Sequence, residues 1–291
     1  IFMKENMNTK VRGRKDLENL SIPFIGEIPQ YLSAKKKLGF DKHTQSVMKA
    51  IVVKEGNRNI INEAFRVLRS NIDFMAGKDS GQNVFMLTSF NPGSGKSFLA
   101  MNIAMSFAIK KKRILVIDGD LRHGSTSSYV DSPKTGLSDY LGNRVSDWKE
   151  IIVKDEKYDN LHIIPIGTVP PNPTELLEDG KLATLIEVLR SEYDYIFIDC
   201  PPIDIVADAQ IIEKLADRTV FVVRSGLLDR SMLPELENIY QEKRFKNLSV
   251  ILNGTESAGG RYGYRYGYRN GYSSYYGSKG KMGGGKWVVI K

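Results

Sequence analysis

With a single cysteine, Cys200, in 291 residues, the chain can form no internal disulfide. Its three histidines, His43, His123 and His162, are scattered without ligand spacing, so a zinc site has no support. No apolar run approaches the roughly 18 to 20 residues of a membrane helix, and no signal peptide is visible. The chain is therefore expected to be soluble and to suit a reducing compartment. A starting methionine is also missing: the chain opens on Ile1 and Phe2, which reads as a fragment cut from a longer protein just past something apolar. Acidic residues are absent from Ser257 to Lys291.

That last absence organises the charge. The net charge of +8 divides into +6 for residues 1–54, −5 for residues 55–256 and +7 for residues 257–291. An acidic core thus carries two basic ends. A nucleic-acid binder would more often carry its basic patch on the folded domain, and no nucleic-acid partner is expected. A basic leader suits an anionic membrane surface, and a basic tail could dock on another copy's acidic core. The expected units are a leader over 1–55 with little core of its own, a catalytic domain over 56–256 and a flexible tail over 257–291.

Within the middle unit, near-continuous apolar runs at Val84–Ser89, Ile114–Ile117, Leu161–Ile164, Tyr195–Ile198, Thr219–Val223 and Ser249–Leu252 read as strands buried on both faces. Helical patterns lie between them, at Ser97–Lys110 and at Lys181–Arg190, where Leu182, Leu185, Ile186 and Leu189 repeat at helical spacing. Ahead of the first strand, Asn62–Met75 reads as an amphipathic helix with Ala64, Leu68, Ile72 and Met75 on one side. This order specifies an α/β fold with a mostly parallel β-sheet flanked by helices.

The chemistry concentrates in VFMLTSFNPGSGKSFLAMNIA, residues 84–104. A strand runs into Gly93-Ser94-Gly95-Lys96-Ser97-Phe98 and then into an apolar helix, the context of a phosphate-binding P-loop. Glycines let successive N–H groups turn toward a phosphate, the helix N-terminus adds partial positive charge and Lys96 a full one, and the Ser97 hydroxyl can ligate Mg²⁺. The strict pattern wants glycine at position 90, where Phe90 stands. Two later strands end in carboxylates, Asp118 with Asp120 in VIDGDLRHG and Asp199 in IFIDCPP. Ligands bind outside the carboxyl ends of strands in open α/β sheets, so all three should converge on the P-loop. Phosphoryl transfer from ATP needs positioning, charge neutralisation and a carboxylate to take the acceptor's proton. Asp118 or Asp120 is the candidate base, the other holding Mg²⁺ with Ser97, and Asp199 binds the metal directly or through water.

The tail carries RYGYRYGYRNGYSSYY, in which Tyr262, Tyr264, Tyr266, Tyr268, Tyr272, Tyr275 and Tyr276 are separated only by glycine, arginine, serine and asparagine. Such a composition suits single-stranded RNA through stacking, but the acidic core argues against that use.

Taken together, these motifs resemble those of the bacterial tyrosine kinases, the cytoplasmic kinase domains of polysaccharide co-polymerases, within the MinD/ParA-like class of P-loop NTPases. VIDGDLRHG resembles that family's extra Walker A′ motif, IFIDCPP its Walker B, PFIGEIP (Pro23 to Pro29) the segment after its second membrane helix, and EAFRVLRSNI its E-x-x-R-x-x-R oligomerisation helix. The family's P-loop lacks the early glycine, so Phe90 is no objection. Asn91 stands where the MinD/ParA ATPases carry a lysine, and Cys200, where a smaller residue is expected, reads as a packing position. The resemblance implies ATP and Mg²⁺ as cofactors and a ring of subunits on the cytoplasmic side of the bacterial inner membrane. In that ring Glu63, Arg66 and Arg69 would reach across the subunit interface, and the tyrosine tail of one copy would be phosphorylated in its neighbour's site. It also gives Asn253 as an adenine contact. Without it, Glu63 and Arg66 read as a solvated i,i+3 pair. The alternative is a nucleotide-switched ATPase of the MinD/ParA kind without kinase activity.

Overall fold

The computed structural model describes residues 9–31, 50–77, 81–203, 207–256 and 287–289. Among the described residues, nine strands run in chain order as β1 (Phe24–Pro29), β2 (Val84–Thr88), β3 (Ile114–Asp118), β4 (Val153–Asp155), β5 (Leu161–Ile164), β6 (Tyr195–Asp199), β7 (Arg218–Arg224), β8 (Ser249–Thr255) and β9 (Trp287–Val289). The helices are α1 (Ile60–Ala76), α2 (Lys96–Ala108), α3 (Leu137–Leu141), α4 (Pro173–Glu178), α5 (Lys181–Glu192), α6 (Asp208–Glu213) and α7 (Leu233–Gln241).

One sheet contains every strand, in the order β1-β8-β7-β2-β6-β3-β5-β4-β9. Pairing is parallel from β1 through to β5, and β4 and β9 close that side antiparallel. All six apolar runs form strands, with ends moved by a residue or so, and β8 continues to Thr255. The core lies on both faces because successive strand residues point opposite ways. Val84 and Met86 join a cluster with Leu182, Leu185 and Leu189 of α5 and with Leu236 of α7, whereas Phe85 and Leu87 join one with α1 and α2.

Helix α1 begins at Asn59, whose side chain caps the Asn62 N–H. Its inward face holds the expected Ala64, Leu68 and Ile72, joined by Phe65 and Ala76, and Met75 packs against it only partly buried. Helix α2 has no amphipathic pattern because it is enclosed almost all round: every residue from Phe98 to Ala108 is buried.

The leader departs from the expected linker. Its Phe24–Pro29 stretch is β1, paired with β8 and packed beneath α1, with Leu68 Cδ1 only 3.0 Å from where a Cβ on Gly26 would stand. Val11, Leu17 and Ile22 are buried in the core, and Asn102 of α2 accepts the Val52 and Val53 N–H groups at 2.7 and 3.1 Å. The folded unit therefore recruits leader residues on both sides of 32–49, which lie outside the described residues. At the other end, Trp287–Val289, expected as tail, pairs with β4 in the register Asp155 to Trp287 and Val153 to Val289. Among the described residues, no helix is long and apolar enough to cross a membrane.

Candidate phosphoryl-transfer site

The P-loop links β2 to α2, and its conformation explains its glycines. Gly93 and Gly95 have φ of 74° and 91°, a region that side chains other than glycine rarely adopt. Gly95 is also the residue before the helix, so the N–H groups of Lys96, Ser97 and Phe98 open the first turn without intrahelical partners. A Cβ on Gly95 would stand 2.3 Å from Asn253 Nδ2, which donates to the Ser94 carbonyl at 2.8 Å. The missing early glycine has a packing reason: Phe90 is buried and meets Phe221 edge-to-face at 4.9 Å between centroids.

Beneath the loop the strand register sets two carboxylates side by side, with Asp118 of β3 opposite Asp199 of β6. Ser97 Oγ donates to Asp199 Oδ2 at 2.5 Å, and Thr126 Oγ1 donates to the same oxygen at 2.7 Å. Asp118 Oδ2 accepts from the Ser127 N–H at 2.6 Å and from its hydroxyl at 2.7 Å. The other oxygen of each, Asp118 Oδ1 and Asp199 Oδ1, is buried without a hydrogen-bond partner. Burial, reinforced by the Asp199 carboxylate, pushes the Asp118 carboxyl up to about 8 against the bonds from Ser127. Burial also raises Asp199, with Lys96 the main opposing influence. Two enclosed acids, two unpartnered oxygens and the Ser97 hydroxyl form a hard-oxygen donor set that fits a divalent cation.

The remaining predicted residues sit as follows. Asp120 lies two residues beyond Asp118, past the end of β3, and accepts the N–H of Arg122 and of His123, with the His123 ring 3.3 Å away. Lys96 Nζ lies 3.4 Å from Ser89 Oγ. Cys200 is fully buried, and burial pushes its thiol well above the ordinary value, as a packing position requires. Arg66 pairs with Glu63 and donates to the Asn57 carbonyl at 2.6 Å, while Arg69 donates to the Ser106 carbonyl at 2.7 Å. All three thus have partners within the chain. The seven tail tyrosines lie outside the described residues.

Sequence reading missed Thr126 and Ser127, which hold the two aspartates, and Arg122, which reaches Asp208 at 3.1 Å and Thr174 at 2.9 Å. Only the x-R of D-x-D-x-R signalled Arg122; the hydroxyls stand in an ordinary Ser/Thr-rich loop. A cleft of about 380 Å³ opens beside the loop, lined by Gly93 and Gly95 to Phe98 on one wall and by His123, Ser128 and Tyr129 on the other.

The profile of an AAA domain matches residues 82–244. A Staphylococcus aureus protein named putative tyrosine-protein kinase CapB is 32% identical over 210 residues, covering 72% of this chain and 91% of that protein. A Klebsiella pneumoniae protein, putative tyrosine-protein kinase in cps region, is 34% identical over 273 residues. That match takes in 90% of this chain but 36% of the relative, so the chain spans about a third of its length. Among solved structures, the kinase domain of Escherichia coli tyrosine kinase ETK superposes with a TM-score of 0.74 at 28% identity, over 89% of this chain and all of that one. With the P-loop, the paired strand-end aspartates and the sheet order already in place, the chain belongs to the bacterial tyrosine-kinase family.

Proposed function

We propose that the chain is an ATP-dependent protein-tyrosine autokinase that phosphorylates the Tyr262–Tyr276 cluster of a neighbouring copy and so regulates polysaccharide polymerisation or export. The observation that carries this reading is the convergence of Ser97, Asp118 and Asp199 under the P-loop, beside a cleft of about 380 Å³.

The P-loop N–H groups and Lys96 hold the phosphates of ATP, and Asn253 faces the nucleotide's other end. Ser97, Asp118 and Asp199 would hold Mg²⁺, which supplies charge neutralisation on the phosphates when bound. The tyrosine hydroxyl forms the new P–O bond to the terminal phosphorus as the bond to the departing ADP breaks. Asp120 takes the hydroxyl proton: its side chain keeps 12% exposure, whereas Asp118 is sealed by Ser127 and Asp199. In such transfers positioning and electrostatics supply most of the rate.

The tail must come from another copy presented at the right distance, and α1 supports that assembly. Ile60, Val67 and Phe74 are 62, 49 and 88% exposed and seven residues apart, one apolar stripe on the helix that also carries Glu63, Arg66 and Arg69. A ring built through this face, attached by the basic leader to a membrane segment on the cytoplasmic side of the inner membrane, would bring each tail to its neighbour's cleft.

Peptide mass spectrometry after incubation with Mg-ATP tests the proposal. Multiple phosphoryl groups should appear on the tail and vanish in Lys96→Met. Phosphate release with an unmodified tail would instead establish a switch ATPase.

A further inference from the structure

The last residues of the chain occupy a place in the sheet. Glycine stands at five of the ten positions from 277 to 286, and Trp287, Val288, Val289 and Ile290 then follow as a run of strand-forming residue types. Trp287–Val289 pairs antiparallel with β4, setting Val288 opposite Lys154. Strand β4 is three residues long and meets β5 through Val153 and Lys154. Its other side is a row of backbone N–H and C=O groups, which β9 covers. The edge of β4 is thus a docking site for one extended segment, and the segment that fills it is the chain's own end.

Occupancy of that site fixes the tail at both ends. Strand β8 is second in the sheet and β9 is ninth, so at about 4.8 Å per strand roughly 34 Å separates them. Both strands run the same way, so the 31 residues 256–286 leave the carboxyl end of β8 and return to the amino end of β9. At about 3.4 Å per residue they span up to roughly 100 Å, and the closure needs no stretched chain.

The constraint is uneven along the tyrosines. Tyr276 stands 21 residues past Thr255 and 11 before Trp287. With β9 docked it stays within about 37 Å of the β4 edge, whereas with β9 released it reaches about 70 Å from Thr255. Tyr262 is seven residues from Thr255 and stays within about 24 Å of it in either state. Helix α1, the face proposed for assembly, packs on β1, at the opposite side of the sheet from β9. A copy docked on α1 therefore lies away from the edge that holds the end of the tail.

We infer that β9 is a latch: docked on β4 it holds back the far tyrosines, Tyr272, Tyr275 and Tyr276, and its release lets them travel to the neighbour's cleft. This rests on the autokinase reading and adds what controls delivery of the substrate. Three residues of pairing hold the latch, which suits a contact that must open.

The test follows phosphorylation tyrosine by tyrosine, by peptide mass spectrometry in Mg-ATP. It compares the full chain, a chain ending at Lys286 and a Lys154→Cys/Val288→Cys variant. Deleting β9 should raise the initial rate at Tyr272, Tyr275 and Tyr276 about fivefold, the factor a latch of about 1 kcal/mol imposes, and leave Tyr262 within about twofold. Oxidation should join the introduced cysteines within one chain and depress the same three tyrosines, and reductant should restore them; Cys200 is buried, away from this exchange. Equal gains at all seven tyrosines, no gain, or a loss on deleting β9 would overturn the latch. So would introduced cysteines that stay unpaired or that join two chains. A tail that acquires no phosphate in any of these proteins would instead refute the autokinase reading, while the crosslink still reports whether β9 docks.

Discussion

Replacing Asp118 with asparagine should make the metal-free protein more stable and its kinase activity vanish. In the native chain two carboxylates are enclosed side by side, each with one unpartnered oxygen. Asparagine retains a carbonyl oxygen for the two bonds from Ser127 and puts an N–H donor where Asp118 Oδ1 has nothing to bond. The sign follows from the raised pKa. The unfolded carboxyl titrates near its ordinary 3.8 and the folded one near 8, so the folded state binds the proton more tightly. Its stabilising contribution is complete below about pH 4 and is lost as pH rises through 8. Each pH unit in that window withdraws up to about 1.4 kcal/mol, so going from pH 5 to pH 8 costs the native chain at most about 4 kcal/mol. A substituted chain without that proton escapes the loss. With about 2 to 4 °C of melting temperature per kcal/mol at this size, Asp118→Asn should melt about 5 °C or more above wild type at pH 8.5 and near it at pH 5. Scanning calorimetry without divalent cations, across that range, is the assay. A variant that melts below wild type at pH 8.5, or a gap that does not grow with pH, would refute the account of the paired acids.

Two further outcomes follow from α1. Leu68 is fully buried between the helix and β1, touching the space above Gly26, so Leu68→Ala should cost about 2 to 5 kcal/mol in urea unfolding, and a loss below 1 would mean that β1 and α1 are not packed as described. Phe74→Asp places a charge in the exposed apolar stripe, leaving the monomer's melting temperature within a few degrees while lowering the mass found by light scattering; an unchanged mass would remove this face from the assembly.

Much of the fold was readable because it depends on local pattern. Six apolar runs separated by helical spacing leave little choice but a parallel sheet between helix layers, since strands buried on both faces need cover on both. The P-loop was readable for the same reason, its glycines and lysine being contiguous. Strand β1 was not: FIGEIP has a glycine and a proline, and it becomes a strand only because β8 offers an edge and α1 a cover. Strands β4 and β9 are three residues each, too short to show a period, and are made by pairing.

The sequence alone marked the residues proposed to carry the chemistry: the loop from Gly93 to Phe98, and the strand-end acids Asp118, Asp120 and Asp199. Only the tertiary structure decided how each acid is held. The β3 and β6 register makes Asp118 and Asp199 an adjacent buried pair, the loop after β3 brings Thr126 and Ser127 back to hold them, and Asp120 is left nearer solvent. Likewise, nothing around Arg224 in the chain marks how it packs, because its partners Gly254 and Gly95 are distant in sequence and meet it only where β7, β8 and the P-loop end together. A carboxylate's pKa and a guanidinium's packing depend on what surrounds them in space, which a local pattern does not encode.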